Sequence, residues 1–434
     1  MSFKEKFSEA LNIKFDKAFG LDISDRSVEV MELSKAFSFS VDTYGRIDFP
    51  AGVIEEGKIM NPAVLAETIK KLLKALKPRK ISTNKVVLSL PESQVYYHSF
   101  IVEADLKPAE LTRAVTDEVA KVMPQNLNSL YWDFQVRNLP NKTKKLVVFV
   151  AVPKDIAVDY VKLCNSIGLE IISLQVEPLS LARVILKKSD KQSMIVDIGS
   201  NTTNISVFDS NDKVELSVNV PVAGEDFTKV IAKELKITAV EAEALKIKWG
   251  FKKDKANPVA GIIEPILRKE IMLEVKGAID YYEKNFVQNV DQIYLVGGSS
   301  ILPGIEDVFS EAFGKQLQVI SVGNTVKLNF MSDKKFNIAL FANVLGLAMF
   351  GASGGYKDMN LLNKIPSSER NSVNKLSLFN MGYLSNVNAF RTVLNNKFAL
   401  FVMTLLVLVV FALITQQLYG LYGLKDPIST FLGL

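Results

Sequence analysis

One cysteine, Cys164, and one histidine, His98, are all that this 434-residue chain holds of either type. A lone cysteine excludes an intramolecular disulfide, and the main body fits a reducing compartment. Cys164 lies in an apolar helical pattern with Val161, Leu163 and Ile167, so it reads as a packed side chain and not as a nucleophile. A lone histidine excludes a multi-histidine metal centre. His98, between Tyr97 and Ser99 in a strand pattern, reads as a packing residue. Excess charge is also scarce: a net +5 is small for this length and does not point to nucleic acid. The first 18 residues have no signal-peptide core. Phe3, Phe7, Leu11 and Phe15 instead recur at four-residue spacing and predict an amphipathic helix over 1–18, resting on the protein itself or on a membrane surface. The length and the 48% hydrophobic content allow two or three domains with ample core, plus a membrane segment.

The chain is organised around residues 194–209. An apolar run, Met194-Ile195-Val196, meets an acid at Asp197, and a turn follows, Gly199-Ser200-Asn201-Thr202. The chain returns as an alternating strand, with Ile205 and Val207 on one face and Asn204 and Ser206 on the other. This predicts a β-hairpin with a carboxylate at the end of its first strand. Gly199 lets the backbone bend sharply and approach a ligand closely. Consecutive N–H groups in such a turn form an anion-binding nest, and Ser200, Thr202 and Thr203 add hydroxyl donors. A carboxylate beside a phosphate cradle suits Mg²⁺, which keeps most of its waters and takes one or two carboxylates. Alone, Asp-Ile-Gly in a strand turn is more often structural, but the pattern occurs twice. Residues 19–33 again run apolar through Gly20 to Asp22, turn over Ile23, Ser24 and Ser27, and return with Val28 and Val30 alternating. A third element, residues 292–305, is a strand breaking into Gly297-Gly298-Ser299-Ser300, with a helix to follow and Pro303 in its first turn.

Two phosphate hairpins and a double-glycine loop in this order resemble the actin-like ATPases, and among them the type IV pilus assembly family PilM, a relative of the cell-division proteins FtsA. The resemblance covers roughly residues 15–353. It implies an α/β, two-lobed actin-like fold closing on ATP and Mg²⁺. Asp22 and Asp197 would hold Mg²⁺ through waters. Ile23, Ser24 and Ser27 of one turn, with Gly199, Ser200, Asn201, Thr202 and Thr203 of the other, would hold the phosphates. Gly297, Gly298 and Ser299 would pack along the adenosine, with Gly224 on the same side. The Ala242-Glu243-Ala244-Leu245-Lys246 segment resembles the one that touches ribose or base in FtsA and MreB. Glu243 and Lys246, three apart on one helix face, read equally as an ordinary ion pair. Glu177 falls at the first interlobe connection, where the family carries a polar residue that orients water, and it joins Asp197 as the catalytic pair; from the residues alone it is a helix-entry acid. Nothing resembles an arginine finger, so the protein is at most a slow ATPase, working by positioning and charge neutralisation, with ATP setting lobe closure and partner affinity.

The expected layout has lobe I core at 19–35 and 166–190, an inserted subdomain at 36–165, and lobe II at 191–353 with a helical insertion at 224–290. Helix signals fall at 61–76, 107–122 and 264–286, and strand signals at 86–90, 131–137 and 145–152. Residues 337–350 form a closing apolar helix that resembles the family's second interlobe connection, and Gly351-Ala352-Ser353-Gly354-Gly355 a break. In the linker 354–397, Met359-Asn360-Leu361-Leu362-Asn363-Lys364-Ile365-Pro366 resembles the short peptide with which PilN docks on PilM; an unstructured linker is the alternative, and docking on its own or a neighbouring body stays open. Residues 398–414 are apolar except for Thr404, and the run extends to Tyr419. At ~1.5 Å per residue it spans roughly 26 Å, nearly the hydrocarbon thickness. The flank from 371 to 397 carries Lys375, Arg391 and Lys397 and no acid, which predicts a single-pass inner-membrane anchor with a cytoplasmic body. Residues 420–434 then form a short extracytoplasmic tail. Expected partners are the inner membrane, PilN/PilO-like platform proteins, assembly ATPases and further copies of the chain. The rival readings are a nucleotide-free pseudo-ATPase scaffold, an FtsA-like membrane-tethered filament protein, and a kinase of the same fold, for which no sugar-site catalytic Asp is found.

Overall fold

A computed structural model of the chain describes residues 17–35, 39–76, 79–123, 125–139, 143–186, 191–286, 288–314, 318–321, 337–353 and 359–370. All belong to the first of two compact units, Met1–Arg370. The amphipathic segment up to residue 16, the transmembrane segment 398–419 and the tail 420–434 lie outside the described residues. Among the described residues no helix is long and apolar enough to cross a membrane.

The body is built on two sheets of the same design. Strand β1 (Phe19–Ile23) turns into β2 (Ser27–Lys35), and β3 (Phe39–Asp48) extends this meander. A short ribbon, β4 (Ile54–Glu55) and β5 (Lys58–Ile59), leads to helix Pro62–Ala75. That helix starts where its sequence says it should: Asn61 caps the Val64 N–H, proline occupies the first turn, and Leu65, Ile69 and Leu72 face inward. Strand β6 (Lys85–Ser89) then pairs parallel with β1. A separate antiparallel sheet follows, from β7 (Tyr96–Glu103), β8 (Leu130–Asn138) and β9 (Lys144–Pro153) in the order β7–β9–β8. Helix Pro108–Val122 buries Val115 and Val119 in the core of this small subdomain. Helix Lys154–Ser166 returns the chain to β10 (Glu170–Gln175), the edge strand beside β6.

The second lobe repeats the plan after helix Glu177–Ile185. Strands β11 (Ser193–Ile198), β12 (Thr203–Phe208) and β13 (Val214–Val220) form the meander. Helices Gly224–Leu235 and Ala239–Trp249 follow, then a helical run from Ala260–Ile266 through a π segment Leu267–Met272 to Leu273–Phe286. Strands β14 (Gln292–Val296) and β15 (Gln318–Ser321) add parallel to β11. The sheet orders are β10–β6–β1–β2–β3 and β15–β14–β11–β12–β13, strand for strand the same. Parallel neighbours need a crossover, so helices flank both sheets and β11 is buried along its whole length.

Two boundaries differ from the expected layout. The inserted subdomain is narrower than 36–165: β3 and β6 belong to the first lobe's sheet, leaving the insertion between Ser89 and Pro153. A run such as Lys85–Ser89 reads identically in either sheet, and only its long-range pairing with β1 decides. The closing helix, Ile338–Ser353, expected inside lobe II as the second interlobe connection, packs on β1, β2 and helix Glu177–Ile185 of the first lobe. The backbones touch there. A Cβ on Gly20 would come within 2.5 Å of the Val344 oxygen, and one on Gly346 would overlap the Ser180 carbonyl. Cys164 is buried and unpaired, its thiol pushed up to about 12 by burial.

Candidate functional site

Both hairpins close alike: the Ser24 N–H bonds the Ser27 carbonyl at 3.0 Å, and the Gly199 N–H bonds the Thr202 carbonyl at 3.0 Å. Asp22 and Asp197 occupy matching places, opposite Glu29 and Asn204 on the return strands. The fold brings the two acids together. Burial pushes each carboxyl up to about 6, and the Asp197 charge adds to the rise at Asp22. The Asn343 amide, on the closing helix, bonds Asp22 and opposes that rise. Glu177, at the start of its helix, faces the same space. Burial raises its carboxyl well above the ordinary range, the Asp197, Glu92 and Asp22 charges add to this, and it holds the proton of a hydrogen bond to Asp197. The Asn204 amide donates to Glu177 Oε2 at 3.1 Å. A fourth acid, Glu92, is pushed up to about 8 by burial and by the Asp197 charge, and it accepts the Glu177 backbone N–H.

The glycine loop seats against these acids. Gly297 adopts φ +91°, and a Cβ there would overlap Asp197 Oδ1 and come 2.7 Å from the Ile198 oxygen. Only glycine meets both demands. Its N–H donates to the Ala339 carbonyl of the closing helix at 3.2 Å. The Gly199 carbonyl accepts from Ser299 Oγ at 3.0 Å and from the Gly224 N–H at 3.2 Å, while the Glu225 N–H reaches the Ser200 carbonyl at 2.7 Å. Lys246 is buried; its Nζ donates to the Gly224 carbonyl at 2.8 Å and pairs with Glu243 at 2.7 Å. The Glu243–Lys246 pair therefore fastens the Gly224 turn and is not a solvated surface pair. Gly298 is exposed.

Not every expected phosphate donor faces outward. The Ser27 hydroxyl donates inward to Glu29 at 2.8 Å, and the Thr203 hydroxyl donates to the Val222 carbonyl at 2.8 Å. Both residues open a return strand, so the strand's alternation turns them into the protein. Ile23 is buried and offers only backbone. Ser24 is exposed, and Ser200, Asn201 and Thr202 are half-buried. Asn201 Nδ2 reaches across to Asp25 Oδ2 at 2.8 Å, and Asp25 Oδ1 accepts the Gly57 N–H at 3.2 Å, so the two turns touch directly. Among the described residues no group of three or more His, Cys, Asp or Glu is arranged to hold a metal. The pair of half-buried Asp22 and buried Asp197, like charges beside the glycine cradle, fits a hydrated divalent cation held through its waters.

Acids held this way make stability depend on pH. Unfolded carboxyls titrate near 4, while Asp22 and Asp197 titrate at about 6 and Glu92 at about 8 when folded. The folded state binds these protons more tightly, so the stability they confer is full below about pH 4 and is lost as pH rises through about 8. The metal- and nucleotide-free protein should melt at a lower temperature at pH 8 than at about pH 5.5. A melting temperature that climbs over that range would contradict the cluster.

A second feature lies at the far edge of the first lobe. Residues 359–370 pack against the body of the same chain, with Met359, Leu361, Leu362 and Ile365 buried in its core. Asn360 Oδ1 accepts the Leu174 N–H at 3.0 Å, and its Nδ2 donates to the Ile172 carbonyl at 3.2 Å. Gln175 Nε2 donates to the Met359 carbonyl at 2.8 Å, Lys364 pairs with Asp133 at 3.0 Å, and Tyr131 donates to Glu369 at 2.6 Å.

Twin sheets of one strand order, each with an acid-ended hairpin at a common cleft, define a two-lobed protein of the actin-like class. Within that class, residues 20–351 match the family described as type IV pilus assembly protein PilM, and the chain belongs to it. A solved PilM-PilN type IV pilus biogenesis complex shares the fold, with TM-score 0.65 and 23% identity, over 77% of this chain and 98% of that one. The cell division protein FtsA of Streptococcus pneumoniae serotype 2 is 24% identical over 230 residues, 48% of each chain. The ethanolamine utilization protein EutJ of Salmonella typhimurium is 27% identical over 159 residues, 37% of this chain and 50% of its own. The chain thus spans about half the length of the curated relatives it matches.

Sequence reasoning passed over Glu92, Asn343 and Asp25. Asn343 left a signal, a lone amide in the otherwise apolar run Ile338–Ser353. Glu92 and Asp25 left none, because their partners are distant in sequence.

Proposed function

We propose that this protein is an ATP-binding scaffold of the inner-membrane platform of a type IV pilus or a related secretion system. The observation that carries this reading is the convergence of Asp22 and Asp197, with the Gly297 backbone seated against Asp197. In it, Asp22 and Asp197 hold Mg²⁺ through waters. Ser24, Ser200, Asn201, Thr202 and the backbone of both turns bind the phosphates. Gly297, Gly298 and Ser299 line the adenosine, with Gly224, Glu243 and Lys246 shaping that wall. Glu177 orients water. Mg²⁺, when bound, supplies the positive charge that both the acids and a triphosphate require. Hydrolysis is slow, and the nucleotide sets the affinity for other platform proteins. The segment 359–366 acts as a PilN-like docking peptide supplied in cis, and residues 398–419 anchor the cytoplasmic body in the membrane.

A second reading, a scaffold that binds no nucleotide, draws support from the Asn201–Asp25 bond joining the two turns and from the proton shared by Glu177 and Asp197. Titrating labelled ATP into the full chain separates the two. Saturable binding that needs Mg²⁺ supports the first; no binding with or without Mg²⁺ leaves the second.

A further inference from the structure

The tail 359–370 touches two strands, and one of them, β10, leads to the site. Strand β10 is the open edge of the first sheet. Its outward groups, the Leu174 N–H and the Ile172 carbonyl, are both taken by the one Asn360 amide, which does the work of a missing neighbour strand. Gln175, buried, grips the Met359 carbonyl, and the Leu90 N–H grips the Gln175 carbonyl at 2.9 Å on the other side. Two residues later the chain reaches Glu177, beside Asp197. Strand β8 links the tail to a different place. Its odd positions share a face. Tyr131 holds Glu369, Asp133 holds Lys364, and at the other end Arg137 forms ion pairs with Asp209 and Glu215 of the second lobe. One strand therefore joins the tail to the second lobe, at the end of β12 and β13 remote from Asp197.

We propose that docking of the chain's own tail and binding of Mg-ATP are coupled, the docked tail favouring the nucleotide through β10. This rests on the nucleotide site proposed above. With the tail in place, the segment from Gln175 to Glu177 is already ordered. With the tail released, Mg-ATP must order it as it binds, and its affinity falls. By linkage, Mg-ATP tightens tail docking by the same factor.

The test uses the full chain, with labelled ATP at saturating Mg²⁺ and amide exchange read over 170–177 and 359–370. Asn360→Ala should speed exchange over 170–177 and weaken Mg-ATP by about 5-fold or more. Asn363→Ala, at an exposed tail position, should change neither. In the unaltered protein Mg-ATP should slow exchange over both segments, a readout independent of how the variant folds. Equal Mg-ATP affinity despite faster exchange in Asn360→Ala overturns the coupling and spares the site. So does exchange in the unaltered protein that Mg-ATP leaves unchanged. An unaltered protein that binds no Mg-ATP overturns both the coupling and the site.

Discussion

Replacing Asp197 with alanine should lower Mg²⁺-dependent ATP affinity by at least about 100-fold, roughly 3 kcal/mol, while the protein stays folded. The carboxylate lies where the two lobes meet, with the Gly297 backbone seated against its Oδ1. Its loss leaves Asp22 alone to hold the cation. The fold should survive because the change also removes a buried charge that raises Asp22, Glu92 and Glu177. At about pH 8, where that repulsion is greatest, the melting temperature should hold or rise. Asp197→Asn keeps a polar partner for Glu177 and should lose nucleotide binding to the same degree. Affinity unchanged in both variants refutes the assigned site.

Gly346→Val should destabilise the protein by about 4 kcal/mol or more, read from its denaturant midpoint. Any Cβ at this position overlaps the Ser180 carbonyl, which is backbone and cannot swing aside. The two helices must separate, and each carries a site contact. Glu177 begins the helix of Ser180, and Asn343, one turn before Gly346, bonds the Ser180 hydroxyl, Ser89 and Asp22. Gly346→Ala should show the same direction at smaller size. A loss below about 1 kcal/mol for valine would mean that the closing helix is not held in this contact.

Much of this geometry was legible in the sequence because it is local. The two acid-ended hairpins, the turn after Val296 and the helix start at Asn61 each follow from neighbouring residues. Residues 359–366 were legible as a docking segment, although whether they turn back on their own body is a tertiary matter. What was not legible depends on partners far along the chain. The membership of β3 and β6, the burial of Lys246, and the inward turn of Ser27 and Thr203 are settled by which surface each meets. Glu92 looks like any loop acid until Tyr97, Asp197, Glu177 and Ser217 come around it.

The covering of β10 has a consequence for biogenesis. The strand's outer edge is complete only once residue 360 has left the ribosome, after both lobes have been made. Until then the Leu174 N–H and the Ile172 carbonyl lack their Asn360 partner on an open strand edge, the kind of surface that recruits strands from other chains. A protein truncated near residue 353 should therefore self-associate.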